Sequence, residues 1–344
     1  MHCARVVPTA LALLVLAGCS GPGTGGSPPG AVSDSSSFQF ALIGDAPYGV
    51  PADSPDADFR RLIEEINGED RIRWVLHAGD VMGESTGCGR EMYRDRLDRI
   101  NGLLKPVVVT PGDNDWTDCH REGSGDWDPV DRLRVLRETF YDDPGRSLGG
   151  DSMPLVAQAE SPGPDGLPEN VRWTWGGVVF ATIHMTGSRN GRAGFPGRDA
   201  DDSASVRRRT EAGLSWLEAT FDRAEEIDAR GVFVLTHANP VRGHALRPEE
   251  TDPAYRPLLE ALERRTRQLG EPVVLAHGDS HYFRVDKPIL PRADTSGGQP
   301  AASRLDNFTR VESFGEPLVH WVRITVDPDR PELFTFDQEI VPGG

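Results

Sequence analysis

Three apolar runs in the first third of the chain each end by handing an aspartate to a loop, and this recurrence constrains the fold more than any other feature. Phe38 to Ile43 runs into Gly44-Asp45, Arg73 to Leu76 into His77-Ala78-Gly79-Asp80, and Pro106 to Val109 into Pro111-Gly112-Asp113. Short apolar runs bounded by turn residues read as buried strands. Between them, Asp56 to Ile66 and Arg90 to Leu104 carry apolar residues at helical spacing, such as Phe59, Leu62, Ile63 and Ile66. Strand alternating with helix predicts a mainly parallel α/β sheet, whose ligands gather outside the carboxyl ends of the strands.

The alternation continues. Asp128 to Tyr141 reads as a helix with Asp128-Pro129 as cap and first turn, Pro144 to Pro168 is loop-rich, and Val171 to Trp175 with Val178 to Ile183 reads as a hairpin turning at Gly176-Gly177. Arg209 to Glu226 and Ala254 to Leu269 read as helices leading into the strands Gly231 to Leu235 and Pro272 to Ala276. Phe283 to Val285, Phe308 to Glu312, Val319 to Val326 and Leu333 to Phe336 read as further strands. No repeat or internal linker interrupts residues 38–344, which are expected to form one domain.

The N-terminus carries an address. Arg5, the apolar run Ala10 to Ala17, and then Gly18-Cys19 have the shape of a cleavable export signal, too short to span a bilayer as a mature helix. Leu16-Ala17-Gly18-Cys19 resembles a bacterial lipobox, which implies a signal over 1–18, cleavage before Cys19 and lipid on its sulfur; an unlipidated cysteine after an ordinary signal peptide is the alternative. Ser20 to Ser37, rich in Gly, Ser and Pro, completes a tether over 19–37. The expectation is an exported protein, held by its lipid to the outer face of the cell membrane or in the periplasm. Cys88 and Cys119 then remain as a pair in an oxidising compartment, where a disulfide is the first expectation and two unpaired thiols the other.

A formal net charge of -17 argues against nucleic acid as a partner, because that binding draws on clustered Lys and Arg. Other chemistries lack their motifs: there is no Gly-x-x-x-x-Gly-Lys-Ser/Thr loop, no Gly-x-Ser-x-Gly elbow and no His-Glu-x-x-His. What the strand ends do supply, in order, is Asp45, Asp80, Asp113, His237, and Asp279 with His281. Carboxylates and imidazoles are the donors for hard and borderline divalent ions.

The order Gly44-Asp45, Gly79-Asp80, Gly112-Asp113-Asn114-Asp115, His237 and Gly278-Asp279-Ser280-His281 resembles the five blocks of the calcineurin-like metallophosphoesterases. The resemblance spans about Phe38 to Phe336 and implies a four-layer α/β/β/α sandwich of two mixed sheets flanked by helices, with two divalent metal ions (Mn, Fe, Mg, Ca or Zn) at one edge. It also implies a phosphoric ester hydrolase acting on a small phosphorylated substrate, in which the ions lower the pKa of a water that attacks phosphorus in line with the leaving oxygen. Carried over by position, Asp45 and His281 would hold the first metal, His237 the second, and Asp80 would bridge them.

Three departures from the family's blocks matter. Pro47 stands where a ligating His is usual, Asp113 and Asp279 replace an Asn and a His ligand, and Asn114 replaces the His assigned to the leaving group. Four aspartates would offset the charge of two divalent ions, weakening attraction for a dianionic monoester relative to a monoanionic diester, and oxygen-rich coordination shifts preference away from zinc. A binding protein on the same fold, holding metal or phosphate without turnover, is the alternative that Pro47 and Asn114 favour.

Several residues remain open in role. Tyr48 is a candidate replacement ligand, as purple acid phosphatases use a metal-bound tyrosine, though in another block. His184 reads as a rim residue or as a histidine bonded at a strand end. Arg189 and Asn190 read as holding phosphate or lying in a solvated loop, and His120 and Arg121 as replacements for the missing His. His77 reads as a loop buttress and His277 as structural, while His244 and His320 are expected at the surface or in the core. Trp116, Trp127, Trp173 and Trp175 read as core residues before cleft residues.

Overall fold

Strand β1 (Phe38–Ile43) shows in miniature how the molecule is layered. Its side chains alternate between faces: Phe40 and Leu42 enter one apolar cluster with Trp74, Phe180 and Phe233, while Ala41 and Ile43 enter another with Phe59, Leu62 and Ile66. A strand buried on both faces must lie inside a stack of layers.

The computed structural model describes residues 1, 36–49, 57–161, 166–242, 247–290 and 305–343. The expected export signal, Cys19, almost all of the tether and His244 lie outside them. Among the described residues no helix is long and apolar enough to cross a membrane.

Two mixed sheets form the interior. The first has five strands in the order β12 (Phe334–Glu339), β11 (Trp321–Val326), β1, β2 (Ile72–His77) and β3 (Val107–Val109). Its β1, β2 and β3 run parallel, and β11 runs antiparallel to both β1 and β12. The second has seven in the order β4 (Val156–Ala157), β5 (Val171–Trp175), β6 (Val178–Thr182), β7 (Gly231–Leu235), β8 (Val273–His277), β10 (Phe308–Glu312) and β9 (Arg284–Asp286). Here β6, β7, β8 and β10 are parallel, and the edges are antiparallel.

The sheets pack on each other through an aromatic core of Phe40, Trp74, Trp173, Phe180 and Phe233, in which Phe180 meets Trp173 stacked at 5.2 Å and Phe40 edge-on at 5.5 Å. Helices α1 (Ala57–Gly68), α2 (Arg90–Ile100) and α3 (Pro129–Phe140) bury their apolar stripes on the outer face of the first sheet. Helices α5 (Ala200–Glu226) and α6 (Arg256–Leu269) do the same on the second. The result is the α/β/β/α sandwich of two mixed sheets that the strand-end blocks implied.

The differences from the sequence reading have local causes. Helix α5 begins nine residues before Arg209, because Asp199 caps it: its carboxylate accepts the N–H groups of Asp201 and Asp202 at 2.7 and 3.0 Å, and Asp202 answers to the Asp199 N–H at 2.9 Å. Asp128 caps α3 as expected, with Asp131 N–H at 2.7 Å. The loop-rich stretch contains the two-residue strand β4, too short to show a period. None of Trp116, Trp127, Trp173 and Trp175 lines the main cavity. Trp127 is 41% exposed under the Arg132 guanidinium, and the other three are buried or half-buried.

Cys88 and Cys119 form a disulfide with their Cα atoms 5.8 Å apart and a sequence separation of 31. Both are fully buried beside Tyr93. A loop of that length gives an expected loss of about 3 to 4 kcal/mol when both are replaced by Ser. Urea unfolding of Cys88→Ser/Cys119→Ser, compared with the oxidised protein, reads it directly.

Candidate metal centre

The parallel strands of both sheets end at one edge, where the loops converge. Four of the six donor candidates there adopt left-handed backbone: Asp45 (φ 51°), Asp80 (φ 53°), Asp279 (φ 76°) and His281 (φ 60°). Aspartate tolerates this conformation better than most residues. Two of the glycines that precede the site's aspartates, Gly112 and Gly278, are needed for closeness. A Cβ on Gly112 would sit 1.9 Å from Asp80 Oδ1, and one on Gly278 would sit 2.2 Å from Asp45 Oδ2. The Gly112-Asp113 and Gly278-Asp279 pairs therefore each give a carboxylate to the site and a bare Cα to a neighbouring carboxylate.

Asp45, Asp80 and His237 bring donor atoms within 4.8 Å of one another, and so do Asp113, His237 and Asp279. His237 Nε2 lies 3.5 Å from Asp80 Oδ1, 2.8 Å from Asp113 Oδ1 and 3.9 Å from Asp279 Oδ1. His281 Nε2 lies 3.4 Å from Asp45 Oδ1 and 3.1 Å from the Tyr48 hydroxyl, which donates to Asp80 Oδ2 at 3.4 Å. Gly83 makes room for that tyrosine, since a Cβ there would meet the ring at 3.0 Å.

The ring nitrogens separate donors from structural histidines. His237 Nδ1–H donates to Ala78 O and His281 Nδ1–H to Glu316 O, both at 2.7 Å, so each Nε2 is turned to the carboxylates. Metal-binding imidazoles are commonly oriented in this way, by giving the other ring N–H to a carbonyl. His77 uses both nitrogens on the loops, with Ala46 O at 2.8 Å and Gly79 N–H at 3.2 Å, which makes it a buttress. His277 is buried behind the site with Nδ1 on Gly278 O, and His320 is also buried.

Burial and neighbouring charge compete throughout the site. It raises the Asp80 pKa well above the carboxylate range against the pull of His237, and raises that of Asp279 against His237 and Arg242. Burial also opposes charge on Asp113, but the bonds from His237 and Ser188 hold its pKa below the usual value. For His237, burial is outweighed by Asp80 and Asp113, and its pKa stands well above the ordinary imidazole value. Positive charge is thus demanded at the centre of the carboxylates, and clustered buried carboxylates beside two oriented imidazoles fit divalent cations.

Tyr48, Asp80, Asp113, Asp279 and His281 line a cleft of about 830 Å³, whose walls also include Asn114, Asp118, Arg121, Ser188, Arg189 and Arg242, while Asp45 and His237 are fully buried. The Asn114 backbone N–H donates to Asp80 Oδ1 at 2.9 Å. Arg121 is tied to Glu84 and Asp118, both at 2.8 Å, and Arg189 pairs with Asp252 at 3.1 Å.

Three candidates lie away from the site that the sequence reading gave them. His184 does not line the cleft: it is fully buried, with Nδ1 on Glu169 at 2.6 Å, and Glu169 is held in turn by Arg137. His120 bonds Thr117 O at 2.7 Å and packs on Phe195 in a separate small pocket. Asn190 is buried and structural, bonding Thr210 and Arg209, and the Tyr255 hydroxyl accepts its N–H. His244 falls outside the described residues.

Other groups escaped the sequence reading. Asp115 organises two loops at once, accepting the N–H groups of Asp80, Val81 and Gly112 at 3.0, 2.8 and 2.7 Å. Its place beside Asp113 in the third block was the available signal. Arg242 and Ser188 touch Asp279 and Asp113; Ser188 stands next to the candidates Arg189 and Asn190 without being singled out, and nothing near Arg242 marks it. Ser188 sits on α4 (Gly187–Gly191), a single turn that winds left-handed through Ser188, Arg189 and Asn190 with φ of 47°, 57° and 56°. Such backbone costs about 1–2 kcal/mol per residue, offset here by the bonds Arg209 makes to Asn190 Oδ1 and Asn190 O, both at 2.6 Å.

Comparisons with known proteins bear on the fold and the family. No curated protein matches the sequence. Among solved structures, "Structure of PhoD" aligns with a TM-score of 0.52 at 14% identity, covering 85% of this chain and 64% of that one. Purple acid phosphatase PPD1 from yellow lupin (Lupinus luteus) seeds aligns with a TM-score of 0.50 at 14% identity, covering 91% and 53%. The chain spans less than two thirds of either, and at such identity the likeness is one of fold. Residues 38–283 match the family described as Calcineurin-like phosphoesterase, and the chain belongs to that family.

Proposed function

We propose that this protein is a divalent-metal-dependent phosphoester hydrolase that works outside the cytoplasm. The observation that carries the reading is the convergence of Asp45, Asp80, Asp113, His237, Asp279 and His281 at one sheet edge, with both Nε2 atoms turned inward by Nδ1 bonds to backbone carbonyls. Asp45, His281 and the bridging Asp80 would hold one ion, and His237, Asp113, Asp279 and Asp80 the other, with the Tyr48 hydroxyl beside the first. A pair of divalent ions bound there supplies Lewis acidity toward phosphoryl oxygen and lowers the pKa of coordinated water.

The chain's own residues shape the rest. Asn114 offers the cleft an amide where a histidine would give up a proton, so substrates with good leaving groups are favoured. The four aspartates offset the charge of two divalent ions, which favours a monoanionic diester over a dianionic monoester. Arg121, Arg189 and Arg242 on the walls are placed to meet the substrate's remaining anionic oxygens. Export is supported by the lipobox-like Leu16-Ala17-Gly18-Cys19 and by a disulfide of the kind oxidising compartments sustain.

The test is to strip the purified protein with chelator, restore Mn, Fe, Mg, Ca or Zn singly, and assay bis(p-nitrophenyl) phosphate beside p-nitrophenyl phosphate. Metal-dependent turnover with the diester favoured is expected. Bound metal without turnover of either ester would make the protein a non-catalytic binder of metal or phosphate.

A further inference from the structure

Asp113 and Asp279, the two carboxylates assigned to the second metal position alone, share an arrangement that Asp45 at the first position lacks. Asp113 turns Oδ1 to His237 Nε2 at 2.8 Å, while its Oδ2 accepts the Ser188 hydroxyl at 2.9 Å. Asp279 turns Oδ1 toward the same Nε2, while its Oδ2 accepts Arg242 Nη2 at 2.8 Å and the Asn239 N–H at 3.2 Å. In each case one oxygen faces the centre and the other is tied to the wall. Asp45 differs: both of its oxygens share the Asp279 N–H, at 3.1 and 3.3 Å.

The fold invests structure in the Ser188 contact. The left-handed turn brings Gly187 so close that a Cβ there would lie 2.5 Å from each Asp113 oxygen, and it aims the Ser188 hydroxyl at the outer one. That hydroxyl also lies 2.8 Å from Asp118 Oδ1, and Asp118 is anchored by Arg121 at 2.8 Å. Asp113 can therefore neither rotate nor slide without breaking a chain of contacts that ends in a guanidinium.

We propose that Ser188 and Arg242 are positioning residues that hold Asp113 and Asp279 to one donor oxygen each, and that this makes the second position select a six-coordinate divalent ion of Mn2+ size over Ca2+. The proposal rests on the reading of these residues as metal donors. Ca2+ takes six to eight oxygens and commonly uses carboxylates through both. A position with one imidazole and single carboxylate oxygens suits a smaller octahedral ion.

The experiment is calorimetric titration of the stripped full-length protein with Mn2+ and, separately, Ca2+, with Mn2+ paramagnetic resonance counting bound ions. Ser188→Ala and Arg242→Met are run beside the wild type. Outer-shell substitutions of this kind typically cost about 10–100-fold in metal affinity. The expected result is that loss for Mn2+ at one of the two positions in each variant, with Ca2+ affinity held or raised, so that Mn2+/Ca2+ discrimination narrows while the stripped protein melts as before. Arg242 is 68% exposed, so its variant folds even if Ser188→Ala does not. Unchanged discrimination in Arg242→Met, or a wild type that takes Ca2+ as tightly as Mn2+, overturns the proposal. Correct discrimination in a protein that cleaves no phosphoester would overturn the hydrolase reading and leave this one standing.

Discussion

Asp80→Asn is expected to abolish phosphoester hydrolysis, lowering kcat/KM by at least about 10³-fold, because several kcal/mol of metal-derived barrier lowering depend on it. Asp80 stands between the two donor groups, with Oδ1 3.5 Å from His237 Nε2 and Oδ2 3.4 Å from the Tyr48 hydroxyl. An amide keeps the shape and can still accept the Asn114 N–H, but it removes the charge that would bridge two cations. Stability should move the other way. Burial raises the Asp80 pKa, so without metal this carboxylate is a liability. In chelator, Asp80→Asn should therefore unfold at the same urea concentration as wild type or a higher one. Steady-state kinetics with metal and urea unfolding in chelator check the two halves, and turnover within tenfold of wild type would contradict the first.

Glu169→Ala is expected to destabilise the fold by about 3–5 kcal/mol, the usual cost of removing one partner of a buried ion pair. That is a large share of the roughly 5–15 kcal/mol that holds a typical domain together. Glu169 is fully buried, accepts from Arg137 Nε at 3.0 Å, and sits 2.6 Å from His184 Nδ1. Burial opposes its charge, but Arg137 and His184 more than compensate, and its pKa falls below the usual carboxylate range. Urea unfolding at neutral pH measures the loss.

The same cluster sets an acid limit. Burial lowers the His184 pKa from 6.5 to about 4. As pH falls below 6.5 the unfolded chain takes up this proton before the folded one does. Stability should then decline toward pH 4, by up to about 1.4 kcal/mol per pH unit from this group. Glu169 acts in the same direction at lower pH: its contribution is present above the unfolded carboxylate pKa and is lost as pH falls through the depressed folded value. In Glu169→Ala the second phase should be absent.

The convergence of the six donor candidates was legible in the sequence because each stands at the end of an apolar run, and a parallel sheet must bring such ends to one edge. The layering was legible for a related reason: runs such as Phe38 to Ile43 are apolar at every position that faces a neighbour, which requires cover on both sides. Contacts that no period encodes were not legible. Glu169 lies at the end of a loop-rich stretch, and only the fold shows that it captures His184 and withdraws it from the cleft. The Ser188 turn depends on anchors far away in sequence, Arg209 of α5 and Tyr255 at the N-cap of α6. Arg242 is one arginine among many until its distance to Asp279 is known. Tyr48 stood one residue after the unexpected Pro47, and its nearness to His281 needed the backbone path between them.

The central claim is that this sheet edge is built to hold divalent cations, and elemental analysis of the purified protein tests it most directly. The wild type should carry about two divalent ions per chain, falling in His237→Ala and in Asp80→Asn, with the fold kept as judged by circular dichroism. A well-folded wild type that neither arrives with metal nor takes any up from solutions of Mn2+, Fe2+, Mg2+, Ca2+ or Zn2+ would contradict the account.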